Sequence, residues 1–171
     1  FYVDAVDGFA YETALCWELP DILRTWLPTT DRWCVTGLSM GGYGAVRFAL
    51  RRPELFGSAH SHSGAVMFGH VAGLARPEQR EFERLVGPNP EGSDYDLYAL
   101  ASQLDPASRP KLRLDCGTED FLLDANRDFH RHLTELGFEH EYEEFPGEHE
   151  WGYWDLHVRE ALDFHRRNLG F

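Results

Sequence analysis

The 171-residue chain contains no apolar run approaching the roughly 20 residues that a membrane-spanning helix requires, so no membrane association is expected. Positive charge is also scarce. Sixteen Lys and Arg face 29 Asp and Glu, a net charge of −13, which repels phosphate backbones and anionic lipid and so argues against nucleic acid as a partner. Cysteine is rarer still. Cys16, Cys34 and Cys116 form neither a CxxC pair nor a disulfide framework, and each reads as a small buried apolar residue. That usage favours a reducing compartment, and a cytoplasmic location is the expectation. The N-terminal residues lack the basic, apolar, small-residue order of a signal peptide, although any export signal would lie upstream of Phe1. Internal repeats and low-complexity tracts are absent. What remains, 43 % hydrophobic residues over this length, suffices for one globular domain spanning 1–171.

Apolar runs at 33–37, 56–62, 111–117 and 140–145 read as strands, and the segments between them have helical spacing. One stripe comprises Leu15, Leu19, Ile22, Leu23 and Trp26, and a second Phe121, Ala125, Phe129, Leu133 and Leu136. Trp154, Val158, Ala161, Leu162, His165 and Leu169 form a third. Pro20 should kink the first helix or mark the first turn of a second segment, and Gly137 should stop the helix before it. The alternation predicts an α/β fold, a mostly parallel sheet of about four strands with helices on both faces, with ligands above the carboxyl ends of the strands. Residues 68–110 break the pattern. They form a long connection with short helices near 77–86 and 94–104, read as a small cap-like insertion whose main apolar groups are Met67, Phe68, Leu74 and Leu85.

The sharpest signal is Gly37-Leu38-Ser39-Met40-Gly41-Gly42, a GxSxG run between a predicted strand and a predicted helix. In that setting Ser39 sits on a tight turn with its hydroxyl exposed above the sheet, and Gly37 and Gly41 are expected to avoid Cβ collisions across the turn. The Met40 N–H, in the first turn of the helix, points to where a substrate oxyanion would form. The competing reading is an ordinary glycine-rich βα turn.

A serine nucleophile needs a base, and the base needs an orienting acid. Asp120 follows the strand 111–117 and is the best acid, the alternative being that it only caps the helix beginning near Phe121. Glu119 should point elsewhere, Asp115 lies within the strand, and Asp124 reads as a cap. His149, in the loop after the last strand, is the best-placed of nine histidines for the base. His157 and His165 belong to a helix face, and His130 and His132 face different directions. His60 and His62 could share a strand face as metal ligands would, but no third ligand stands at a telling spacing, so they read as pocket-lining or structural. No metal, nucleotide or flavin is required.

Gly37–Gly44, Cys116-Gly117-Thr118-Glu119-Asp120-Phe121-Leu122 and His149-Glu150-Trp151-Gly152-Tyr153-Trp154-Asp155 together resemble the esterase D family of α/β-hydrolases, which includes tributyrin and feruloyl esterases and, more distantly, mycobacterial mycolyltransferases. The segments Tyr11-Glu12-Thr13 and Glu18-Leu19-Pro20 extend the likeness. The resemblance implies Ser39 as nucleophile, Asp120 as acid, His149 as base and the Met40 N–H as one oxyanion donor. It also implies about four further strands ahead of Phe1, with the second oxyanion donor among them. The chain is therefore expected to be the C-terminal part of the fold, with 33–37 as an exposed edge that pairs with another polypeptide or a second copy.

The activity implied is hydrolysis of short-chain acyl esters through an acyl-enzyme, with a small-molecule ester as the partner. Loss of one oxyanion donor costs on the order of a hundredfold to a thousandfold in turnover, so the chain alone could be a poor catalyst. Acid should reduce activity as His149 gains a proton. Acyl transfer, hydrolysis of a thioester such as an S-acyl glutathione, and a non-catalytic binding domain are the alternatives.

Overall fold

A computed structural model describes residues 1–70 and 79–170. Strands β1 (Trp33–Leu38), β2 (Phe56–His62), β3 (Lys111–Gly117) and β4 (His140–Phe145) pair in parallel in their sequence order. Parallel neighbours require crossover connections, and helices supply them. Helix α3 (Met40–Arg51) joins β1 to β2 and packs on both, and α6 (Leu123–Glu135) joins β3 to β4 and packs on β3. After β4 the chain returns in α7 (Trp151–Leu169), which crosses β1, β2 and β3.

Successive strand residues point to opposite faces, so the sheet is covered twice. On β2, Ser61 lies against Gly42 of α3, whereas His62 shares Asp115 with Tyr153 of α7. The α3 side holds the principal core, whose buried members include Tyr43, Val46, Leu112, Leu114, Phe129 and Leu133. Inner strands β2 and β3 are almost wholly buried, and outer strands β1 and β4 are not.

The N-terminal stripe is interrupted. α1 (Tyr11–Thr13) runs into a π-helical turn at Ala14–Glu18, and α2 (Leu19–Trp26) carries Pro20 in its first turn. Proline has no N–H to continue the helical ladder, and the widened turn ahead of it accommodates the lost bond. Ile22 and Trp26 on that stripe are 55 % and 78 % exposed.

The long connection contains α4 (Gln79–Val86) and α5 (Leu97–Gln103), close to the predicted helices. Residues 77 and 78 of the first, and Leu74, lie outside the described residues. Phe68, Val86 and Leu97 join the core, and Asp96 caps α5 by accepting the Tyr98 and Ala99 N–H groups. α6 ends at Glu135, and Gly137 follows with φ 60°, the left-handed stop expected there.

Three expectations need correction. Cys34 is exposed rather than buried, because β1 is an outer strand with one open side. Phe121 precedes α6 and is 77 % exposed, so it is not part of that helix's buried stripe. Asp124 does not cap α6. The residue at that position is Leu122, whose N–H is instead taken by Asp120 Oδ1 at 2.8 Å.

Candidate active site

β1 ends at Leu38 and α3 starts at Met40, leaving the single residue Ser39 to make the turn at φ 53° and ψ −118°. Non-glycine residues rarely hold positive φ, and the strain, of the order of 1–3 kcal/mol, persists only where the surroundings enforce it. Here they do. The Ser39 N–H donates to His62 O at 2.8 Å, and Ser39 O accepts from the Ala65 N–H at 3.0 Å. A Cβ on Gly37 would fall 2.2 Å from Gly41 O, so position 37 tolerates only glycine. Gly41 differs from expectation, since a Cβ there would meet only the Tyr2 ring at 3.7 Å. The tight approach belongs to the Gly41 backbone and to Gly42, where a Cβ would lie 2.9 Å from Gly64 Cα.

A serine at a helix N-cap normally bonds the first turn through its hydroxyl. Ser39 makes no such bond, and its Oγ lies 2.9 Å from His149 Nε2. His149 Nδ1 lies 2.8 Å from Asp120 Oδ2. An ionised carboxylate only accepts, so Nδ1 carries the proton and Nε2 is left to accept from the Ser39 hydroxyl. Asp120 is 5 % exposed, and its two oxygens divide between the Leu122 N–H and His149. Orienting His149 and stabilising the turn before α6 are thus parts of one arrangement.

The Asp120 and His149 loops are joined by backbone. The Thr118 N–H donates to Phe145 O at 2.8 Å, and the Glu119 N–H donates to Gly147 O at 3.0 Å. Glu119 points away from His149, accepting the Gly147 N–H at 2.7 Å. Gly117 permits the approach, because a Cβ there would meet Gly147 O at 2.2 Å. Met40, the residue assigned the oxyanion N–H, opens α3 with its side chain 40 % exposed.

His60 and His62 do share a face, and the structure supplies the third group that spacing could not. Asp115 lies 2.6 Å from His60 Nε2 and 2.9 Å from His62 Nδ1, and accepts the Tyr153 hydroxyl at 2.9 Å. These three are the donors among the described residues that could hold a metal ion, lying within 4.8 Å of one another. Hydrogen bonds already join them. Burial holds His60 down near 4, against the pull of Asp115, so it is neutral, donating from Nε2 and accepting the Thr36 hydroxyl at Nδ1. Burial by itself would raise the Asp115 carboxyl, but hydrogen bonds from His60 and His62 override it and keep Asp115 ionised well below the usual range. Sequence could not reveal this cluster, because pairing register decides which residue on β3 faces His62.

The other histidines lie apart from Ser39. His130 meets His140, His132 meets Tyr98 O, and His165 meets Ser58. A groove of about 700 Å³ follows the open side of β1 between α3 and α7, lined by Val35, Leu38, Phe48, His62, Trp151 and Val158 among others. Two aromatic contacts on His149 escaped the sequence reading. Trp154 lies 4.9 Å from its ring at 90°, and Phe121 lies 4.6 Å away at 50°.

The family described as "Putative esterase" matches residues 8–165. An acetyl esterase of Caldicellulosiruptor saccharolyticus is 33 % identical over 140 residues, covering 76 % of this chain and 53 % of the relative. Among solved structures, a substrate-bound fluorophosphonate-binding serine hydrolase of Staphylococcus aureus aligns with a TM-score of 0.82 at 27 % identity, covering 95 % of this chain and 66 % of that one. An S-formylglutathione hydrolase of the same organism aligns with a TM-score of 0.76 at 27 % identity, covering 92 % and 64 %. The chain spans about half the length of that acetyl esterase.

Proposed function

The chain belongs to the esterase family, and from that premise we propose that it carries the reactive serine of a carboxylesterase acting on short-chain acyl esters. The observation that carries this reading is the unbroken hydrogen-bonded chain from Ser39 Oγ through His149 to Asp120, at 2.9 and 2.8 Å, on a turn of positive φ.

In this reading His149 Nε2 takes the Ser39 proton as Oγ attacks the ester carbonyl. Asp120 holds the imidazole tautomer and stabilises the imidazolium. The Met40 N–H, at the start of α3, donates to the carbonyl oxygen as it becomes an oxyanion. His149 returns the proton to the departing alcohol, leaving an acyl-Ser39 ester. Water, deprotonated by the same imidazole, then releases the acid. No step needs a metal or an organic cofactor.

Short acyl groups are favoured by the acetyl esterase relative and by the modest apolar content of the insertion 68–110, which we read as a small cap. A thioester substrate is the second reading, favoured by the likeness to an S-formylglutathione hydrolase. We also assign the open side of β1 as a pairing edge for a further strand of another polypeptide or a second copy, since its groove is apolar and β1 bonds to β2 alone among the described strands. No described helix is long and apolar enough to cross a membrane. The three free cysteines favour a cytoplasmic setting.

The deciding experiment compares hydrolysis of p-nitrophenyl acetate and butyrate by the parent and by Ser39→Ala, with fluorophosphonate labelling of both. Removing the nucleophile of such a triad lowers kcat by on the order of a millionfold, so the variant should be inert and unlabelled. Equal rates, or an unlabelled parent, would leave a non-catalytic binding domain. Faster turnover of S-acyl glutathione than of the oxoesters would select the thioester reading.

A further inference from the structure

We propose that Trp154 is a positioning residue for His149, anchored by its indole N–H to Ser63, so that one turn of chain fixes both the Ser39 backbone and the imidazole. The proposal rests on the esterase reading and extends it to how the base is held.

His149 lies in the short loop between β4 and α7, held through its two ring nitrogens. Those bonds place the imidazole between Asp120 and Ser39 but leave its tilt about the line joining them poorly restrained. Restraint must come from groups against the ring, and among the described residues two aromatic side chains reach it. Phe121 is 77 % exposed and bound by little else, whereas Trp154 is 8 % exposed. Only Trp154 is therefore fixed enough to impose an orientation. Its plane stands at 90° to the imidazole with 4.9 Å between centroids, an edge-to-face arrangement.

Trp154 is anchored in turn. It lies in the first turn of α7, and its Nε1–H donates to Ser63 Oγ at 3.4 Å. Its neighbour Tyr153 donates to Asp115, so adjacent residues tie the start of α7 to the sheet. Ser63 is fully buried and holds φ 45°. Glycine would fit that backbone at lower cost, and the hydroxyl is what serine adds. The Cys116 thiol shares that hydroxyl. Ser63 follows His62, whose carbonyl accepts the Ser39 N–H, and precedes Ala65, whose N–H donates to Ser39 O. Residues 62–65 therefore hold the serine by its backbone and the histidine through Trp154, and the separation of Oγ from Nε2 is set by one rigid piece of chain.

The test uses the full native polypeptide and the variants Trp154→Ala, Trp154→Phe and Ser63→Gly. Rates are expressed per fluorophosphonate-titrated site, with the pH profile of kcat/KM and the NMR resonance of the His149 Nδ1 proton. A reacting group displaced by about 1 Å costs on the order of a hundredfold, so Trp154→Ala should lose kcat on that scale with KM within about twofold. Trp154→Phe should recover roughly tenfold of the loss by restoring a ring, and the Nδ1 resonance should broaden in the alanine variant. Ser63→Gly removes the anchor and relieves the backbone, so it should lower kcat roughly threefold without lowering thermal stability. Folded Trp154 variants with parental kcat and pH profile would overturn the proposal, whatever their melting temperatures. If Trp154→Ala does not fold, Trp154→Phe and Ser63→Gly decide, and unchanged kcat in both overturns it. A parent that neither labels nor turns over would refute the esterase reading alone, and the Nδ1 resonance would still decide the positioning role.

Discussion

Ser39 is held in its strained turn by contacts far apart in sequence, and unlike a serine that caps a helix it makes no side-chain bond to the first turn. Its N–H and carbonyl are spent on His62 and Ala65, so its Oγ is free for His149. A similar economy of partners governs the buried polar residues on the α7 side of the sheet. His60 and His165 are both held near 4 by burial, below the ordinary 6.5 of the unfolded chain. A folded state that resists a proton more than the unfolded one is fully stable above about 6.5 and loses stability as pH falls toward 4. Asp115, depressed below its ordinary 3.8, extends the loss to lower pH, because its stabilisation is present above that value and vanishes as it is protonated. The melting temperature should therefore drop between pH 6.5 and 4, and His60→Gln should flatten the slope in thermal unfolding followed across that range. The histidines were visible in the sequence as a same-face pair. Their partner was not, because strand register brings Asp115 to His62 and no local spacing encodes it.

At the scale of elements, the strands and most helices were legible because each carries its own periodicity. β2, β3 and β4 match their predicted limits, and β1 extends by one residue to Leu38. The discrepancies fall at element ends, where capping and packing compete. Phe121 continued an apolar spacing that α6 does not use, because the chain first turns through Asp120, whose backbone and side chain organise that turn. α5 shows a cap that can be tested. Asp96 is 2 % exposed and accepts N–H groups from Tyr98, Ala99 and Gly92. Asp96→Ala would strand these donors and should lower stability by about 2 kcal/mol in urea unfolding. A change under a few tenths of that would mean the donors find other partners.

The whole molecule is an α/β sheet with covered faces and open sides at β1 and β4 among the described strands. β4 carries His140, Glu141, Glu143 and Glu144, charge and polarity that discourage a further strand. β1 has no such protection. Its residues Val35 and Leu38 line an apolar groove between α3 and α7, and Cys34 is exposed. The 171 residues by themselves should associate with increasing concentration through this edge, and Val35→Lys should reduce that association in sedimentation measurements. A parent and variant that stay equally monomeric would show that β1 is not a pairing edge. Since the elbow begins where β1 ends, a strand that paired with β1 would also brace Ser39.

The sequence by itself determined the class of fold, the positions of the strands and the three residues that meet at the elbow. Periodicity, glycine spacing and position after a strand are local properties, and they survive without knowledge of any neighbour. Tertiary structure alone decided that Asp115 gathers His60 and His62, that Cys34 is exposed, and that Trp154 and Ser63 stand behind His149. Those facts depend on register, on strand order and on which helix face returns to the sheet, and only the assembled chain fixes them.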